Sequence, residues 1–223
     1  MKALIIGNAA YKEKPLNSPI NDARNMANAL KKLRFVVSKY ENLDERKMKE
    51  AMIAFGQSIE SSGVSLYYFS GHGLQYNGKN YLIPVDAQMK SEKYVESFAF
   101  DAQLVFNNLK DSDNHLNIII LDACRSNPPG AKLKGPTKGL AFMAAPRGTI
   151  IAFATAPGDV AADGQSDGMG LYSGALIKNI LTPDIQIEEM FKRVREEVKN
   201  ASNGSQIPWE NTSLIGNFYF NKN

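Results

Sequence analysis

Short apolar runs at residues 3–6, 35–40, 64–69, 117–121 and 149–154 alternate with stretches whose apolar residues recur every third or fourth position. Brief runs suit buried strands and the 3.6-residue period suits helices packed on them. The chain therefore reads as α/β, with a mostly parallel central sheet of about six strands flanked by helices. The run at 117–121 is the most apolar and belongs in the middle of the sheet. Ser18 is expected to cap a first helix, with Pro19 at its first position and Ile20, Ala23, Ala27 and Leu30 on one face. Asp44 caps a second that presents Met48, Ala51, Met52, Phe55 and Ile59. Residues 100–109, 171–181 and 187–198 read as further helices. Asn77-Gly78 reads as the turn of a small hairpin returning through 81–85, and 218–220 as a last short strand.

With 223 residues, 43% of them hydrophobic, the chain can bury one core, so a single domain over 1–223 is expected. Residues 127–147 are rich in proline and lysine and read as a long mobile loop, which divides the domain into 1–126 and 148–223. The formal charge of +3 is the balance of 26 basic and 23 acidic residues with no run of one sign. That balance argues against a nucleic-acid or membrane partner. No apolar run approaches a membrane span, and the N-terminal run is too short for a signal-peptide core, so a cytoplasmic location is expected.

The single cysteine, Cys124, excludes an internal disulfide, and with only His72 and His115 there is no zinc-binding spacing, so no metal is expected. Taken alone, a cysteine at the end of a strand is core filler or a reactive thiol. His72 decides between them. It stands in Ser70-Gly-His-Gly73 at the end of one predicted strand, and Cys124 stands in Asp122-Ala-Cys-Arg-Ser126 at the end of another. The carboxyl ends of strands are where open α/β sheets bind ligands. A thiol needs a neighbouring base to become a nucleophile, and His72 is that base. Gly71 and Gly73 let the backbone turn sharply there and let a substrate approach. The motif lacks the GxxxxGK[ST] or GxGxxG spacing of a phosphate loop. His115 reads as a solvent-facing loop residue.

These motifs resemble the caspase-like cysteine peptidases, and the metacaspase and bacterial branch more than the animal caspases. The resemblance is carried by Asn21-Asp-Ala23, Tyr68-Phe-Ser-Gly-His-Gly73, Tyr81-Leu-Ile-Pro-Val-Asp86, Leu121-Asp-Ala-Cys-Arg125, residues 148–158 ending in Ala-Thr-Ala-Pro-Gly, and Ser213-Leu214. A histidine about 50 residues before the cysteine belongs to the same pattern. The resemblance implies a peptidase acting on proteins or peptides, with His72 and Cys124 as a catalytic dyad and the amides of Gly73 and Cys124 as oxyanion hole. It also implies a substrate pocket formed by Asp22, Asp122 and Asp163. Animal caspases place a glutamine where this chain has Asp122, so the pocket is acidic and cleavage after Arg or Lys is expected. Lys132, Lys134, Lys138 and Arg147 are then candidate sites of self-cleavage. The metacaspase cysteine three residues before the pocket acid is Pro19 here. Calcium dependence and oligomeric state are left open, and an inactive member acting as an interaction or regulatory module is the alternative.

Overall fold

The computed structural model describes residues 1–60, 63–89, 91–110, 116–124, 140–156 and 168–222. Five strands run parallel: β1 (Lys2–Gly7), β2 (Val36–Glu41), β3 (Val64–Tyr76), β6 (Leu116–Cys124) and β7 (Thr149–Phe153). A sixth, β8 (Trp209–Thr212), closes the far edge antiparallel to β7, giving the order β2-β1-β3-β6-β7-β8. Beyond the main sheet, β3 continues into an antiparallel extension with β4 (Lys79–Leu82), which pairs with β5 (Phe100–Asp101) just after the one-turn helix α3 (Val95–Phe98).

Strand alternation explains why both faces are covered. Ile5, Leu66, Tyr68, Ile118, Ile120 and Ile150 meet α1 (Pro19–Lys32), α5 (Leu171–Ile180) and α6 (Ile187–Ala201), in a core containing Ala23, Met26, Leu30, Tyr172, Leu176, Phe191 and Val194. The intervening residues Leu4, Ile6, Tyr67, Phe69, Ile119, Leu121 and Phe153 meet α2 (Glu45–Ser58) and α4 (Gln103–Lys110) through Met48, Met52, Phe55, Val105 and Phe106. A strand buried on both sides has no polar alternation, which is why 117–121 is apolar almost throughout. Each fully buried Leu or Ile contributes roughly 1.5–3 kcal/mol against the exposed state.

Several expected boundaries shift. The third strand does not stop at Ser70 but runs through Ser-Gly-His-Gly to Tyr76, because β6 supports one edge as far as Cys124 and β4 takes over the other from Gly73. The helix expected to begin at residue 100 begins at Gln103, after β5. Asp44 caps α2 as expected, accepting from the Lys47 amide at 2.7 Å. Ser18 makes no side-chain cap hydrogen bond. Its backbone is already helical (φ −84°, ψ −33°), not extended, as a capping side chain needs in order to reach back, while Pro19 takes the first position as read. Residues 218–220 form no strand, since β8 occupies the edge beside β7; Tyr219 makes a single bridge to Gln186 and Phe220 packs near Phe35. Asn77 (φ 49°) and Gly78 (φ 75°) form the left-handed pair expected of an Asn-Gly hairpin turn.

The end of the expected 127–147 loop is anchored. Leu140 is buried, Asn80 and the Ala141 backbone exchange hydrogen bonds in both directions, and the Asn211 amide donates to the Met143 carbonyl.

Candidate active site

The end of the β3–β6 ladder sets the site. His72 and Cys124 are direct register partners, and two residues back along the same ladder Ser70 is the partner of Asp122. Adjacent strands lie about 4.8 Å apart and rise about 3.3 Å per residue, so the four backbones form a tight rectangle at the C-terminal end of the sheet. Gly73 follows the last register pair on β3.

Gly71 and Gly73 do not turn the chain; both lie inside β3, and the positive-φ glycines among the described residues are Gly78, Gly148, Gly168 and Gly204. Crowding requires them instead. A Cβ on Gly71 would lie 2.6 Å from the Tyr11 hydroxyl, and one on Gly73 would lie 2.8 Å from the Ala123 Cβ and 3.3 Å from Leu140.

His72 is 2% exposed and held from two directions. Its Nε2 lies 2.8 Å from the Lys14 carbonyl. A carbonyl only accepts, so Nε2 carries the proton and Nδ1 is the basic nitrogen. Lys14 adopts a left-handed conformation (φ 51°), which costs a non-glycine residue about 1–2 kcal/mol and marks a place where the fold holds its backbone against preference. The Tyr11 ring lies against the imidazole, with centroids 4.4 Å apart, and its hydroxyl accepts from the His72 backbone N–H at 2.9 Å.

Asp22 and Asp122 converge beside this pair. Asp22, in the first turn of α1, is fully buried; it accepts from the Gly170 amide at 2.8 Å and from the Ser70 hydroxyl at 3.1 Å. Asp122 is buried at the end of β6 and accepts from the Ser173 hydroxyl, which in turn accepts from the Tyr68 hydroxyl at 2.5 Å. A Cβ placed on Gly170 would meet Asp22 at 3.2 Å and Asp122 at 3.4 Å. The two acids therefore face one space, kept open by the missing side chain of Gly170. Burial, and then the two carboxylates, push the Tyr68 phenol well above its ordinary range, so it stays protonated.

The ladder sets the Cys124 backbone opposite His72, and Asp22 and Asp122 both face the space at Gly170. Asp163, Lys132, Lys134, Lys138 and His115 lie outside the described residues, and Arg147 is exposed in the turn before β7. Tyr11, Lys14, Tyr68, Ser70, Gly170 and Ser173 were not singled out as site residues. With β3 carried through to Gly73, the period of two would have set Tyr68 and Ser70 in line with His72. Lys14, Gly170 and Ser173 act through tertiary contacts and leave no such signal. Among the described residues no three His, Cys, Asp or Glu cluster as a metal cage.

A family model of the caspase domain matches residues 1–219. The chain belongs to the caspase domain family. Its caspase-like sheet and helices are those described above, and the domain is of the kind that serves as a cysteine peptidase or as a regulatory module. It is similar to human mucosa-associated lymphoid tissue lymphoma translocation protein 1, at 32% identity over 124 residues. It is similar to the mouse homolog at the same identity. Both alignments take in 55% of this chain, but 15% of the human protein and 14% of the mouse one. No described helix of this caspase domain is long and apolar enough to cross a membrane.

Proposed function

We propose that this caspase domain is an active cysteine endopeptidase that cleaves proteins after Arg or Lys. The convergence of Asp22 and Asp122 on the space beside Gly170, with Asp122 two residues back along the ladder from the His72–Cys124 pair, carries the proposal. Two carboxylates turned toward one space suit the several donors of a guanidinium or ammonium group. An acidic side chain would meet two like charges in a buried place, a cost of several kcal/mol.

In the proposed reaction, Nδ1 of His72 takes the thiol proton of Cys124, and the sulfur attacks the carbonyl carbon of the basic residue itself. The carbonyl π electrons move to oxygen, where the amides of Gly73 and Cys124 receive the charge; losing one such donor typically costs about 10²–10³ in turnover. His72 returns its proton to the leaving amine as the C–N bond breaks, leaving a thioester. Water, deprotonated by His72, then attacks the thioester and frees the acid and the thiol. The Nε2 bond to Lys14 keeps the basic nitrogen at Nδ1 throughout and stabilises the imidazolium that forms. We assign no step to calcium.

The same preference makes Lys132, Lys134, Lys138 and Arg147 bonds that the chain offers to itself, and a thiol nucleophile fits the reducing cytoplasm. A panel of fluorogenic peptides differing only in the residue before the scissile bond tests the specificity. Turnover after Arg or Lys and none after Asp is expected; preference for Asp would refute it, and absence of turnover with every peptide would favour a regulatory module.

A further inference from the structure

The loop between β1 and α1 delivers two contacts to one histidine. Asn42 accepts from the amides of Ala9 and Ala10, each at 2.9 Å, and the Asn8 side chain bonds to Leu43 and Ile83. The loop is thereby fixed to the sheet before it passes His72. Tyr11 is buried, and its hydroxyl accepts from the His72 N–H at 2.9 Å while donating to the Ile83 carbonyl at 3.1 Å.

That carbonyl and that amide are the two groups an antiparallel ladder would join directly, since the other bond of the pair, Ile83 N–H to the His72 carbonyl, is present at 2.9 Å. The tyrosine oxygen is therefore inserted into the β3–β4 ladder at His72, and Gly71 supplies the room for it. The ring of the same residue rests on the imidazole that Lys14 holds at its other end.

We propose that Tyr11 is a positioning residue for His72, its hydroxyl wedging β3 from β4 at the histidine so that Nε2 meets the Lys14 carbonyl and Nδ1 is left to serve Cys124. The consequence for turnover rests on the peptidase reading; the consequence for the imidazole does not. Without the hydroxyl, the His72 amide and the Ile83 carbonyl would close on each other, drawing the histidine out of line. Displacement of a catalytic group by about 1 Å can cost about 10²-fold in rate.

The test compares the full chain with Tyr11→Phe and Gly71→Ala, the second pressing a methyl onto the hydroxyl from the other side. Nitrogen-15 shifts of the imidazoles report the tautomer; the sequence holds two histidines, and His72→Ala assigns the signal. The parent should show His72 protonated at Nε2, and Tyr11→Phe a mixture of tautomers. On an arginine peptide, kcat per folded molecule should fall about 10–100-fold with KM within about threefold, the folded fraction being measured alongside because its loss alone would also lower apparent kcat at constant KM. A His72 tautomer identical to the parent's in both variants overturns the proposal, whatever the turnover. A parent that cleaves no peptide refutes the peptidase reading instead, and the tautomer comparison still decides the role of Tyr11.

Discussion

His72 and Cys124 are direct partners across the β3–β6 ladder, not residues of two loops that meet. Strands covered on both faces by helices hold positions more precisely than loops do, so the relative placement of the proposed base and nucleophile is built into the sheet. The acidic space lies two residues back on the same rigid frame, between Asp22 of α1 and Asp122 of β6.

Asp22→Asn keeps an oxygen for the Gly170 amide and removes the charge. Cleavage after arginine should fall by about 30-fold or more in kcat/KM, because loss of one partner from a buried charge pair costs about 2–5 kcal/mol. Melting temperature should move less than in Asp22→Ala, which orphans the Gly170 N–H and the Ser70 hydroxyl at about 1–3 kcal/mol each. Peptide kinetics alongside thermal unfolding of the two variants checks both expectations.

Gly73→Ala should destabilise the domain by about 1–3 kcal/mol through overpacking, since its methyl lands on Ala123. Ala123→Gly in the same chain should recover most of that loss. Denaturant unfolding of the two single variants and the double variant measures the coupling, and strict additivity would show that the two residues do not press on each other.

The alternation of apolar runs makes the sheet and its helices legible in the sequence, and the adjacency of the His72 and Cys124 backbones follows from where two of those runs end. What stayed hidden was of one kind. Glycine in Ser-Gly-His-Gly suggested a turn because isolated sequence cannot distinguish conformational freedom from lack of room; in the fold, Tyr11 and Ala123 fill that room. Lys14 contributes a carbonyl, which any residue type would supply. Ser173 and Gly170 enter the site only because α5 docks against the end of β6. The strand assigned to 218–220 was lost to competition for an edge that β8 already holds.

Away from the site, Glu41 is held down to a pKa of about 2, first by its hydrogen bond from Arg24 and then by that from Lys39. A carboxylate depressed in the folded state contributes stability that is fully present above its unfolded pKa, near 4.5, and is lost as pH falls toward 2. The group is near the surface, so its contribution is about 0.2–1 kcal/mol. Glu41→Gln should therefore unfold more readily than the parent at pH 7, with the difference shrinking between pH 4.5 and 2. Denaturant midpoints across that range give the comparison, and a difference independent of pH would assign the effect to something other than the charge.

The central claim is that Cys124 is a nucleophile activated by His72 and fed by a cation-binding pocket. Labelling of the thiol by a peptide electrophile carrying arginine, followed by intact mass, measures all three parts at once. The account predicts rapid single labelling of the parent, slowing by two orders of magnitude or more in His72→Ala, slow labelling by the matching aspartate electrophile, and none in Cys124→Ala. A parent thiol that reacts no faster than a free cysteine, or equally fast with both electrophiles, would contradict it.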